Sequence, residues 1–407
     1  MTIDQGNHMK TWIGLATSLL STAAWGATLD WAKLETQARS MTLDRFHHLL
    51  STVYSPDGGM IDYLQFDHST VRVFSTRDHA EPPLATLAFS ETPDAPAPWW
   101  TGGTPDEPLR GLRVALDPGH IGGAWSRMEE RFFLVDRADW PVMEAALNLE
   151  VMDMLIPRLE ELGAIVLPTK STFDPVTPLR PEDFLEQAER EIGTYTRFPH
   201  LPERLRESAR QDAIRKRAER LFYRTAEISA RARYLNQELN PHLTLAIHFN
   251  ATGYGDEKTL YEENGLVIFI HGNYLANEVA SDEQKFFLLC KLLQNQHELE
   301  LELAQHLVKG FVEHTGLDPA YRVRGGVMIP VGADDYIYAR NLAANRQFSG
   351  PVLFLEPYFM NNRIIYQRIQ AGMYDGEMKF DNQLMINIFQ EYVNAVIDGL
   401  LHFTRSR

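Results

Sequence analysis

The sequence predicts an α/β fold: a twisted, largely parallel sheet flanked by helices, preceded by a small α+β N-terminal unit. Three observations carry this. Five short apolar runs, at 112–116, 164–167, 243–247, 266–270 and 352–355, are interrupted only by Arg113 and Thr244, as in strands covered on both faces. Long helical patterns separate them, among them 141–162, closed by Gly163, and 285–314. Strand and helix therefore alternate, which builds a layered α/β architecture.

The chain begins with an expected export signal. Lys10 precedes a short apolar stretch at 11–26, with Trp12, Ile13, Leu15, Leu19 and Leu20, that ends in Ala24-Trp25-Gly26-Ala27. A basic start, a short apolar core and small residues near a cut are the build of a secretory signal. The stretch is shorter than the roughly 20 apolar residues that span a bilayer. Residues 1–27 are expected to be removed, with Met9 a better start than Met1 because Asp4 breaks the pattern. The mature protein is expected to be periplasmic or secreted, without stable membrane insertion.

The next unit, 28–90, has a helical pattern through Trp31, Leu34, Met41, Phe46, Leu49 and Leu50, then short alternating stretches at 60–66 and 71–74. Asp57-Gly58-Gly59 is the turn between the two textures. No catalytic signature lies in this unit. Residues 91–111, with Pro93, Pro96, Pro98, Pro105, Pro108 and Gly102-Gly103, have the composition of a linker. Trp99-Trp100 is expected to pack on a neighbouring unit. The remainder, 112–407, is expected to form the catalytic domain, with helical inserts at about 181–224 and 273–314. The run 285–314 in the second insert is weighed as a border of the active cleft that limits access, against the plainer use of a packing helix.

Composition excludes some partners. The 407 residues carry 39 basic and 55 acidic side chains, a net charge of −16, which repels phosphate backbones and argues against nucleic acid. The Arg-rich stretch 215–233 is broken by Glu219 and Glu227, as on a solvated helix face. The single cysteine, Cys290, sits in an apolar run and reads as packing rather than as a nucleophile.

The chemistry gathers at strand ends. The first run leads into Asp117-Pro118-Gly119-His120, the third ends at His248, and the last ends at Glu356. Open α/β sheets build their sites just beyond the carboxyl ends of the strands. Singly, each residue has a plainer use: His120 after a turn, His248 as a core histidine, Glu356 paired with a buried arginine. Together they point to a metal. Four carboxylates follow His120 within reach: Glu129, Glu130, Glu144 and Glu150. Glu129 and Glu130 lie among Arg127, Arg131 and Arg137, where ion pairing is the simpler use. Glu150 stands about 240° around the helix from Glu144 and cannot face the same point. Glu144 lies in the first turn of the 141–162 helix beside the stripe Leu147, Val151, Leu155, Leu159 and Leu162, with Pro141 at the expected first position and a kink expected at Pro157. Two histidines and one glutamate are a ligand set for zinc with an open position for water.

These residues carry a family resemblance. Val114-Ala115-Leu116-Asp117-Pro118-Gly119-His120 resembles the first strand and turn of the zinc N-acetylmuramoyl-L-alanine amidases. The stretch from Glu144 to Leu149 is similar to the second-ligand helix, and Arg231 with Asn236 to the arginine and asparagine before the next strand. Ala246 to Ala251 is similar to the third-ligand motif. Arg324-Gly325-Gly326-Val327 and the stretch from Val352 to Asn362 resemble the closing segment. The resemblance implies one zinc ion per chain on His120, Glu144 and His248, with Glu356 as general base and acid. It implies peptidoglycan or muropeptides as partners, cut between N-acetylmuramic acid and L-alanine of the stem peptide. The chain departs from the family in a longer connection from His120 to Glu144, in Pro357-Tyr358-Phe359 after Glu356, and in its inserts. Two other readings share these residues. A carboxypeptidase-like zinc hydrolase would grip its substrate's terminal carboxylate with Arg324 or Arg363, and a non-catalytic wall-binding protein would have lost one of the four positions.

Overall fold

The computed structural model describes residues 29–93, 99–193, 200, 202–253, 257–322 and 325–406. The expected signal peptide, part of the linker and Arg324 lie outside them.

The first unit forms as its pattern predicts. Helix α1 (Trp31–Ala38) is capped by Asp30 and α2 (Leu43–Leu49) by Thr42, whose side chains accept from backbone amides in the first turn. An antiparallel sheet follows, β1 (Leu64–Phe66), β2 (Thr70–Val73) and β3 (Ala85–Ala88). At the expected turn, Asp57 Oδ1 accepts from Gly59 N at 2.9 Å and Gly58 takes φ 78°. Phe46, Leu50, Val71 and Leu87 belong to the same hydrophobic core as the larger sheet that follows.

That sheet is assembled from β4 (Arg113–Pro118), then, after a small hairpin β5 (Phe132–Phe133) and β6 (Val142–Met143), helix α3 (Glu144–Glu161) and β7 (Ile165–Pro168). Helices α4 (Leu185–Ile192), α5 (Glu203–Arg220) and α6 (Glu227–Tyr234) lead to β8 (Leu243–Ile247) and β9 (Leu266–His271). Helices α7 (Asp282–Leu293) and α8 (His297–Thr315) precede β10 (Met328–Pro330), β11 (Ile337–Arg340), α9 (Ala343–Gln347) and β12 (Val352–Pro357). The chain closes with α10 (Arg363–Gln370), the hairpin β13 (Glu377–Phe380) and β14 (Gln383–Ile386), and α11 (Ile388–Arg405).

The seven strands lie in the order β10-β11-β9-β12-β8-β4-β7. Strands β7, β4, β8 and β12 run one way; β9 pairs antiparallel with β12, and β11 runs parallel to β9. Successive side chains point to opposite faces. Val114, Leu116, Leu245, Ile247, Leu353 and Leu355 thus meet α3, α8 and α11 on one face, while Ala115, Ala246 and Phe354 meet α6 and α9 on the other. The stripe Leu147, Val151, Leu155 and Leu159 of α3 is fully buried, each side chain contributing on the order of 1.5–3 kcal/mol. Helices α8 and α11 cross so closely that a Cβ on Gly310 would stand 2.3 Å from the Ala395 carbonyl oxygen.

The five predicted strands are β4, β7, β8, β9 and β12. Three expectations are corrected. Helix α3 begins at Glu144 rather than at Pro141, because Val142–Met143 pairs with Phe132–Phe133 instead. The helical run at 285–314 is two helices, broken where Asn295 takes φ 53°. The insert's opening segment, from 273, leaves the sheet away from the cleft. Since β9 is antiparallel to β12, its end at His271 emerges at the opposite edge of the sheet, where Asn273 N and Tyr274 N donate to the carbonyls of Val53 and Tyr54 at 2.7 Å. The other insert reaches the site side: α4 and α5 share a small core with Ile121, Trp125 and Met128.

Trp99 docks on the last helix, edge-on to Phe403 at 5.8 Å, and its indole N–H donates to the His242 carbonyl at 2.6 Å. Cys290 is packed, and burial pushes its thiol up to about 12, which leaves it inert. Among the described residues, no helix is long and apolar enough to cross a membrane.

Candidate metal centre

Three adjacent strands, β4, β8 and β12, end side by side at one edge. Beyond β4 the chain turns through Gly119 to His120, and β8 runs directly into His248. The turn is tight: a Cβ on Gly119 would lie 2.0 Å from the His248 ring, so only glycine lets the two segments close up. His120 itself takes φ 66°, a left-handed conformation uncommon for a residue with a side chain. It is held there by cations. Arg231 Nη2 donates to the His120 carbonyl at 2.9 Å and Nη1 to the Pro118 carbonyl at 3.0 Å, and Lys170 Nζ also donates to the His120 carbonyl. Burial and the neighbouring Arg231 push Lys170 down to about 7. Arg231 in turn contacts Asp117 at 3.3 Å and Glu227 at 2.8 Å, both buried.

From the far side of the sheet α3 delivers Glu144 at its first turn, where the helix N-terminus favours a carboxylate. Four residues on, Asn148 donates to the Gly119 carbonyl at 3.1 Å and ties the helix to the turn. The structure brings together the three residues the sequence picks out. His248 Nδ1 lies 2.9 Å from Glu144 Oε1, and His120 Nε2 lies 3.1 Å from Glu144 Oε2. The two imidazoles meet edge to face at 5.1 Å. One ligand atom from each residue lies within 4.8 Å of the other two.

Glu356 sits at the end of β12, beside β8. It shares a strand face with Phe354, against whose ring His248 stacks at 3.9 Å. Burial, and then the charge of Glu144, push the Glu356 carboxyl up to about 7. For Glu144 burial works the same way, yet His120 and His248 hold its carboxyl well below the usual range. Burial opposes charge on both imidazoles. In His120 the pull of Glu144 and Glu129 outweighs it and raises the ring to about 9, while His248 stays lowered.

The donor set fits a zinc ion. Two imidazoles and a carboxylate are the ligands of zinc sites that keep one position open. A tetrahedral ion with bonds near 2 Å holds its donors roughly 3.3 Å apart; here one donor atom from each residue lies within 4.8 Å of the other two, and Glu144 meets the two rings through different oxygens. Glu144 Oε2 is buried and accepts no hydrogen bond, although Arg131 Nε stands 2.8 Å and His120 Nε2 3.1 Å away. Its charge has a neighbour, but its lone pairs are not saturated.

Two residues here escape sequence reasoning. Glu129, expected to pair with nearby arginines, is buried and turned to His120 instead, with Oε1 3.4 Å from Nδ1. Arg131 turns to Glu144, and Arg127 pairs with Glu257 at 3.0 Å. The only signal in the sequence is a dense run of charges in a connection longer than expected. Of the two arginines considered as grips for a terminal carboxylate, Arg363 pairs with Glu262 on an exposed rim, and Arg324 lies outside the described residues.

No family model matches the chain, and no curated protein matches it in sequence. Solved structures do resemble it. The N-acetylmuramyl-L-alanine amidase Ami1 from Mycobacterium smegmatis is 13% identical, covering 74% of this chain and 99% of its own, with a TM-score of 0.40. An N-acetylmuramoyl-L-alanine amidase from Clostridium difficile 630 is 14% identical, over 73% of this chain and 99% of that one, with a TM-score of 0.36. For AmiC2 of Nostoc punctiforme the identity is 14%, the coverages 72% and 97%, and the TM-score 0.34. These three structures that the chain resembles are N-acetylmuramoyl-L-alanine amidases, at levels of likeness that leave the case for its chemistry to the geometry above.

Proposed function

We propose that the protein is a zinc-dependent amidase that cleaves the bond between N-acetylmuramic acid and L-alanine of the peptidoglycan stem peptide. The observation that carries this is the convergence of His120, Glu144 and His248 on one point at the carboxyl edge of the sheet, with Glu356 on the neighbouring strand end. The substrate is taken from the sequence motifs around these four residues, and export by residues 1–27 would bring the enzyme to it.

His120, Glu144 and His248 would hold the zinc, which would supply a Lewis acid able to acidify water and polarise the amide carbonyl. The remaining work falls to the chain. Glu356 takes a proton from water on its carboxylate and hands it to the leaving amide nitrogen. In the metal-free protein burial already raises this carboxyl to about 7, the direction that suits a group which both takes and returns a proton. The three-stranded edge and Asn148 fix where the histidines stand, so the water and carbonyl meet at one place. Before metal arrives Glu144 is already ionised, because both rings hold its carboxyl low.

Digestion of purified peptidoglycan, with the released fragments identified by mass spectrometry, tests this reading. Stem peptides with a free L-alanine amino end, beside glycan carrying an intact lactyl carboxyl, are expected. Cleavage only between amino acids of the stem would identify a peptidase instead.

A further inference from the structure

The longer connection between His120 and Glu144 has a use of its own. The backbone of His120 is fixed by Arg231 and Lys170 on its carbonyl, but these contacts leave the ring free to turn about its side-chain bonds. The Nδ1 edge of that ring faces Glu129 Oε1 at 3.4 Å, and the Nε2 edge faces Glu144. Glu129 is itself anchored, since its Oε2 accepts from Ile121 N at 2.8 Å and its own amide donates to the Trp125 carbonyl at 3.2 Å. The next residue, Glu130, takes φ 58°. That left-handed residue separates two buried-facing neighbours, Glu129 towards His120 and Arg131 towards Glu144. Beneath the turn lies the helical insert: Trp125 packs on Phe222 at 5.2 Å between ring centres, and Ile121, Trp125 and Met128 share the core of α4 and α5.

We propose that Glu129 is a positioning residue that locks the His120 ring with Nε2 towards Glu144, and that the insert at 181–224 serves as the buttress of the turn that carries it. A histidine that ligates a metal through one nitrogen needs a partner on the other to fix its rotation and raise its basicity, and a carboxylate is a common partner. Here that partner comes from a stretch of chain between two ligands, held from outside by an added pair of helices. This rests on the metal-binding reading of His120, Glu144 and His248.

The test is zinc affinity of the full-length protein, measured by competition with a chromophoric chelator. The wild type is expected to bind one ion. Glu129→Gln keeps the size and removes the charge, and is expected to weaken binding by roughly 10- to 100-fold. Glu130→Gln, on the exposed side of the same turn, is expected to leave affinity unchanged. Glu129→Asp retains the charge with a shorter reach and should also weaken zinc binding, which keeps the test open if the glutamine variant does not fold. Trp125→Ala should shift affinity in the same direction by loosening the buttress. Zinc bound equally well by wild type, Glu129→Gln and Glu129→Asp overturns the positioning role while leaving the metal site standing. A wild type that binds no zinc overturns the metal reading, and this proposal with it.

Discussion

Glu144 Oε1 lies 2.9 Å from His248 Nδ1, although 104 residues separate them in the chain. The contact joins the first turn of α3 to the end of β8 across one edge of the sheet. A carboxylate buried so deeply needs positive charge or a bound cation around it. His248 is the more neutral of the two imidazoles beside it, His120 the more readily charged. This asymmetry sets what the site does with protons and with metal.

Removing the proton acceptor while keeping its shape separates binding from chemistry. Glu356→Gln is expected to retain zinc at the wild-type level while turnover falls by roughly a hundredfold or more. Metal analysis beside a turnover assay on the same preparation checks both. Retained metal with near-normal turnover removes Glu356 from the mechanism.

Metal uptake should release one proton at neutral pH. A ligating imidazole must be neutral. In the metal-free protein His120 keeps its proton up to about pH 9, whereas His248 and Glu144 have already lost theirs. Zinc must therefore displace the His120 proton below that pH. Apparent affinity should rise about tenfold per pH unit between about 7 and 9 and then level off. Chelator competition across this range measures the slope. A flat profile contradicts the assignment of the raised group to a ligand.

The buried arginine behind the turn should be costly to remove. Arg231→Met takes the arginine partner from the buried Asp117 and Glu227 and frees the Pro118 carbonyl, leaving the His120 carbonyl to Lys170 alone. A loss of about 3–5 kcal/mol is expected, a large part of ordinary domain stability. Urea unfolding reads it directly, and a change below about 1 kcal/mol would show that water satisfies those groups.

Much of this architecture is legible in the amino-acid sequence. Strands buried on both faces leave unbroken apolar runs, and β8 occupies the run at 243–247 with no shift at either end. The ligands are readable because strand ends and a helix start are where such residues do chemistry, and helical geometry separates Glu144 from Glu150. What the sequence hides depends on direction and rotation. The antiparallel course of β9, which carries the segment from 273 away from the site, is set by pairing with β12 and leaves no trace in its apolar composition. Helix α3 starts late because two of its expected residues pair with Phe132–Phe133 upstream. Glu129 reads as one more acid among arginines, since burial of a charged side chain depends on packing by α4 and α5 far along the chain.

Metal stoichiometry tests the centre of this account most directly. Purified wild-type protein dialysed against limiting zinc should hold one ion per chain by elemental analysis, and His248→Ala should hold none while keeping its helical content by circular dichroism. Wild-type protein without zinc, or a folded His248→Ala variant that still holds one ion, would contradict it.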